Sequence, residues 1–128
     1  MDSVEFQIGN HTLWAHTLSA AEVVQDYLPL RFSTLHREMH WAKDGPKTPF
    51  DLRDGYDETA WPFGIYLDGQ LVAATRLVSA DSPAELPSGS FITDLHMYTG
   101  RSAEISKAVV DSSWRNCGLF WFIYDFTD

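Results

Sequence analysis

The dipeptide Asp68-Gly69 is the strongest single constraint on how this chain can fold. A two-residue Asp-Gly turn has the backbone twist that joins two antiparallel strands. The apolar stretches beside it, Gly64 to Leu67 and Gln70 to Val78, therefore read as the arms of a β-hairpin. So the middle of the chain is expected to hold at least one antiparallel pair.

Toward the N-terminus, Val4 to Ile8 and Thr12 to His16 flank Gly9-Asn10 and predict a second hairpin. Ser19-Ala-Ala-Glu22 is a capping box, which predicts a helix from Ala20 to about Leu28. Pro29 ends that helix and can open the next at its first turn. The second helix turns Leu30, Leu35 and Met39 inward and Arg37 and Glu38 outward. Residues 42–62, with Pro46, Pro49 and Pro62, show no periodicity and read as a long loop, of a length that is usually functional or mobile.

After the central hairpin comes a second loop, Ser79 to Ser90, and then Phe91 to Tyr98, a short helix or strand. Ala103 to Val110 is β-like, Asp111 to Gly118 turn-like, and Leu119 to Phe126 resembles the start of an apolar helix. Such a helix would end after about two to three turns. It would leave the strand near Val110 and the surface Phe120-Trp121-Phe122-Ile123-Tyr124 without cover. The expectation is a truncated piece of a larger domain, or a chain completed by a partner such as a second copy of itself.

At 128 residues, with 45% apolar and 14% aromatic residues, the chain has the makings of one domain with a real core. Its net charge of −9 argues against nucleic-acid binding and gives no general attraction to anionic membranes. An acidic partner would need a local basic patch such as Arg31, Arg37, Lys43 and Lys47. A lone cysteine, Cys117, excludes an internal disulfide, and no secretory leader or membrane-length apolar run is evident. A soluble cytoplasmic domain is expected.

Fixed charges of both signs, Arg31, Asp54, Asp57, Arg76, Glu104 and Lys107, are spread over separate predicted elements. Such charges either scatter over a surface or converge on a polar site, and convergence is the prediction. Taken alone, Asp54 and Asp57 read as solvated loop carboxylates. Their surroundings do not match an EF-hand calcium loop. His36 and His40 have the spacing of metal ligands on a helix but lack the His-Glu-x-x-His order and a third ligand, so no metal is expected. Cys117 has no identifiable activating partner, and Trp14, Trp61, Trp114 and Trp121 read as core or interface aromatics.

Taken together, Arg31-x3-Leu35-x5-Trp41, Asp54-x2-Asp57, Arg76-Leu77, Phe91 and Glu104-Ile-Ser-Lys107 resemble, in order and nearly in spacing, the acyl-homoserine-lactone (autoinducer) synthases. The likeness covers roughly residues 23–120. It implies the general N-acyltransferase (GNAT) fold: an α/β, GNAT-like mixed sheet with helices on both faces. Residues 1–128 would be the N-terminal portion of that single domain, cut off after the fourth strand and the start of the following helix.

The activity implied is acyl transfer from an acyl-carrier-protein or acyl-CoA thioester to the amine of S-adenosylmethionine, with lactonisation, in quorum-sensing signal synthesis. These are co-substrates, and no tightly bound cofactor is implied. Such a reaction needs a base to deprotonate the amine, and Glu104 is the first candidate and Asp54 the alternative. Asp57 beside Asp54 suits the cationic donor, Arg31 or Arg76 its carboxylate, and Trp41 can offer a π face to the sulfonium. Leu35, Phe91 and Lys107 join the substrate-binding set. The oxyanion needs a backbone N–H, expected from a bulge in the Glu104 to Val110 strand. Arg115-Asn-Cys-Gly118 resembles the GNAT phosphate-binding loop, with Phe120 at a usual small-residue position.

Two departures stand out. Leu35 replaces the usual Phe, and Lys107 replaces an Arg, keeping the charge but losing the bidentate fork. They leave room for a GNAT-type enzyme acting on another amine or amino acid, and for a non-catalytic GNAT-like binding module.

Overall fold

A five-stranded antiparallel sheet, in the order β1-β2-β3-β4-β5, forms the body of the computed structural model. Residues 3–38, 48–87, 89 and 100–114 are described, and of 35–38, 50 and 51 the backbone alone. The strands are β1 (Val4–Ile8), β2 (His11–Thr17), β3 (Trp61–Leu67), β4 (Gln70–Ala80) and β5 (Ser102–Val110). Both predicted hairpins form. At the central turn Asp68 and Gly69 have φ of 49° and 80°, the pair of positive values that an Asp-Gly turn supplies.

The expected mixed sheet is corrected here, because every described strand pair is antiparallel. A parallel pair needs a crossover that returns the chain in its original direction. The helical connection after β2 instead brings β3 back antiparallel beside it. Val110 closes a fifth strand where a fourth was expected.

Helix follows β2 after two residues, Leu18 and Ser19. Ser19 caps it reciprocally with Glu22, as the sequence predicts. An α-helical turn, α1 (Ala20–Glu22), runs into a π-helical stretch, Val23–Tyr27, and then into α2 (Leu28–Glu38). Two helices separated at Pro29 were expected, and one continuous helical segment is found. The reason lies in the π turn, where Leu28 N–H donates to the Val23 carbonyl, five residues back. The widened turn replaces the strict four-residue spacing just before Pro29, whose ring would otherwise meet the carbonyl four residues back.

The expected loop 42–62 is also partly corrected. It contains single 3-10 turns at Pro49–Leu52 and Gly55–Glu58, and β3 begins at Trp61. Pro62 sits inside β3 opposite Arg76. Its carbonyl accepts from Leu18 N–H at 2.9 Å. A strand residue's N and C=O share one side, so the missing donor faces Leu18, just past β2, and costs the β4 ladder nothing.

Strand residues feed two core clusters by alternation, except at Val72-Ala73, where the register shift between Ile65 and Tyr66 puts two neighbours in one cluster. Leu18, Tyr27, Leu30, Tyr66, Leu71 and Ala74 join the helix to the sheet. Leu13, Ala15, Ile65, Val72, Ala73 and Val110 form the other, with Phe6, Ile8, Leu67 and Trp114 against it. The expected elements Phe91 to Tyr98 and Leu119 to Phe126 lie outside the described residues. Among the described residues no helix is long and apolar enough to cross a membrane.

Candidate functional site

Arg76 lies in the middle of β4, between β3 and β5, with 1% of its surface exposed. A guanidinium persists there only if it is paired and hydrogen-bonded. Its Nη1 and Nη2 donate to Oδ1 and Oδ2 of Asp54 at 2.6 and 3.0 Å. Nη1 also stands 3.1 Å from Asp57 Oδ1, and Nε donates to Ser106 Oγ at 2.9 Å.

Arg31, on α2 and 3% exposed, repeats this fork from the other side. Its Nη1 and Nη2 donate to Asp57 Oδ2 and Oδ1 at 3.2 and 2.8 Å. The guanidinium carbon lies 4.0 Å from the centre of the Tyr27 ring, a cation–π stack. Tyr27 precedes Arg31 by one helical turn, so the two share a stripe.

Both carboxylates come from the 3-10 turn Gly55–Glu58, which they cap. Tyr56 N–H donates to Asp54 Oδ1, and Asp54 N–H to Asp57 Oδ2, each at 2.9 Å. The Asp54-x-x-Asp57 spacing is thus a capping box that aims two carboxylates at the sheet. Burial pushes the Asp57 carboxyl up, but the Arg31 fork, the Asp54 N–H and the charges of both arginines outweigh it and bring it down to about 2. Asp54 also lies below the usual carboxylate range, burial being overcome chiefly by the Arg76 bonds and charge. The net result is a neutral quartet, two guanidiniums against two carboxylates.

Beneath the quartet, β5 bulges. Arg76 pairs with Ser106 and Ala74 with Val109, so Thr75 alone faces Lys107 and Ala108. Lys107 has φ of 54°, in the left-handed region. The Lys107 carbonyl accepts from the Tyr27 hydroxyl at 2.7 Å, and the Ser106 carbonyl from Thr75 Oγ1 at 3.1 Å.

Of the residues singled out from sequence, Arg31, Asp54, Asp57 and Arg76 come together in this cluster. Glu104, partly buried in β5 opposite Val78, lies on the Ser106 side of the sheet by strand alternation. Lys107 marks the bulge with its side chain exposed. Arg31 is no part of a basic surface patch, because it is buried and paired. Leu35 lies on α2 with its side chain not described, and Trp41, Phe91, Arg115 and Gly118 lie outside the described residues.

Sequence reasoning missed Tyr27, Thr75 and the role of Ser106. The signals were present: Tyr27 stands four residues before Arg31, and Ser106 sits within the Glu104-Ile-Ser-Lys107 motif. A cavity of about 280 Å³ borders Asp57, with Leu18, Val23, Val24 and Pro62 as its apolar wall and Arg53 and Glu58 at its charged side. Among the described residues no His, Cys, Asp and Glu cluster is arranged to hold a metal ion. Comparisons with protein-family models, with curated proteins and with solved structures return no match to this chain.

Proposed function

We propose that this chain is an N-acyltransferase similar to the acyl-homoserine-lactone synthases, within the GNAT superfamily. It would transfer an acyl group from a carrier-protein or coenzyme A thioester to the amine of S-adenosylmethionine. The observation that carries the reading is the convergence of Arg31, Asp57, Asp54 and Arg76, from three elements, directly against a bulged strand bearing Glu104 and Lys107.

In this reading Glu104, directly or through a water, removes a proton from the amine. Asp54 is a poor candidate for that step, since both its oxygens accept from Arg76 and its carboxyl is held low. The freed amine attacks the thioester carbonyl. A tetrahedral oxyanion forms, stabilised by a backbone N–H at the β5 bulge, and collapses as the thiolate leaves. Lactonisation then follows: the acceptor's own carboxylate oxygen attacks its γ-carbon, the C–S bond breaks, and the sulfonium leaves as a neutral thioether carrying the electron pair. The ion quartet serves as the rigid floor that keeps β4, β5 and the helix in register.

One observation favours a second reading, transfer to another amine or an amino acid. The two Arg–Asp forks engage both carboxylates and the terminal nitrogens of both guanidiniums, leaving the buried Arg31 Nε without a partner among the described residues, so the charges expected to grip a zwitterionic sulfonium donor are already paired. The cavity beside Asp57, part apolar and part charged, suits a smaller acceptor.

Incubating the protein with S-adenosylmethionine and acyl-carrier or acyl-CoA donors, then analysing by mass spectrometry, tests the first reading; acyl-homoserine lactone is expected. Acylated amino acid in its place selects the second reading. No acyl product with any donor or acceptor overturns both.

A further inference from the structure

The bulge at Lys107 is held by hydroxyls from two other elements, which the ion quartet alone does not explain. Lysine has no intrinsic preference for the left-handed region, which asparagine, aspartate and glycine visit most readily. Its φ of 54° inside a strand therefore has to be imposed by its surroundings. On one side of the residue, the Ser106 carbonyl accepts from Thr75 Oγ1 at 3.1 Å. On the other, the Lys107 carbonyl accepts from the Tyr27 hydroxyl at 2.7 Å.

Thr75 is a direct strand neighbour, but Tyr27 reaches in from the helix, eighty positions away in sequence. The π-helical stretch ends on Tyr27, and such insertions reset which side chains face the sheet. The Tyr27 ring is completely buried and lies under the Arg31 guanidinium, itself gripped by Asp57. Burial above all pushes the hydroxyl's pKa up to about 12, so the proton it donates stays in place around neutrality.

We propose that Tyr27 is the positioning residue that sets the bulge at Lys107. The peptide joining Lys107 to Ala108 is planar, so anchoring its carbonyl fixes the direction of the Ala108 N–H on the opposite edge. That N–H is then held in one orientation before any carbonyl substrate arrives, which is the condition for strong oxyanion stabilisation. The catalytic meaning of this step rests on the proposed acyl transfer, whereas the conformational claim does not.

Tyr27→Phe removes the hydroxyl and keeps the ring beneath Arg31. By NMR, the Lys107 Cα and Cβ shifts should move from left-handed toward extended values. The Ala108 amide resonance should shift as its N–H reorients, while the β1–β2 hairpin is undisturbed. Adding Lys107→Gly should return the Ala108 amide toward its wild-type position, because glycine takes positive φ without penalty. A lower melting temperature with the Lys107 shifts unmoved, or no recovery with glycine, overturns the proposal.

Should Tyr27→Phe fail to fold, the wild-type protein decides. A slowly exchanging Tyr27 hydroxyl proton with cross-relaxation to the Lys107 and Ala108 backbone is expected, and its absence sinks the idea. Where the wild type transfers acyl groups, Tyr27→Phe should lower kcat by about tenfold or more with the acceptor KM changed by less than about twofold. An unchanged kcat with a moved bulge overturns the catalytic part. A wild type without acyl transfer removes the proposed function and leaves the NMR result to judge Tyr27.

Discussion

Asp57 accepts two hydrogen bonds from Arg31 and one from the Asp54 N–H, and a second guanidinium stands 3.1 Å away. With only 6% of its side chain exposed, these interactions are little screened by solvent. Its carboxyl, ordinarily near 3.8, lies at about 2 in the folded protein. The unfolded state therefore binds a proton first as pH falls. The stabilisation is fully present above the unfolded value and is lost as pH drops through the folded one. The shift corresponds to about 2 kcal/mol. In urea denaturations from pH 5 down to pH 2, Asp57→Asn should flatten the loss of stability by about that amount. An unaltered pH slope would mean that Asp57 is not the group being titrated. The same residue shows why the site was only half visible in sequence. Its type and its three-residue offset from Asp54 could be read, but which arginines it meets depends on contacts across 26 positions in one case.

The Asp68-Gly69 turn is an element whose chemistry is entirely local, and it was legible for that reason. Both residues hold positive φ, and an added Cβ at Gly69 would meet nothing within 4 Å. Any penalty for Gly69→Ala is therefore backbone strain, expected at about 1–2 kcal/mol. Asp68→Asn, equally suited to the turn, should cost far less. Urea unfolding of the two variants checks this, and a harmless alanine would mean that the turn relaxes to another type. Both capping boxes were local as well: Ser19-x-x-Glu22 was read as one, while Asp54-x-x-Asp57 was seen only as a carboxylate pair. The break at Pro29 was misjudged because a proline signals lost hydrogen bonds, not the π turn that absorbs them. Within 42–62 the single 3-10 turns escape a sequence reading because they leave no helical or strand period to detect. Convergence was anticipated for six charged residues and is found for four, with Glu104 and Lys107 outside the ion cluster; the mutual neutralisation of the four was not anticipated, since sequence carries no distances.

At the scale of the whole molecule, that neutralisation changes what its charge can do. The chain carries a net charge of −9, and the two arginines of the quartet are buried and already matched, so they offer nothing to an approaching anion. A coenzyme A thioester brings several negative charges of its own. Its approach is then opposed by the field of the protein as a whole, and that repulsion extends about a Debye length, about 30 Å at 0.01 M salt and about 8 Å at 0.15 M. Under the proposed acyl transfer, raising the salt over this range should therefore lower KM for an acyl-CoA donor by about twofold or more while leaving kcat unchanged. An uncharged short thioester donor carries no such repulsion and serves as the control, with KM insensitive to salt. A KM for acyl-CoA that rises with salt would instead mean that a local basic patch, built without Arg31, dominates the encounter. Steady-state kinetics across the salt series decide between these signs, and calorimetric titration with coenzyme A gives the same comparison without turnover.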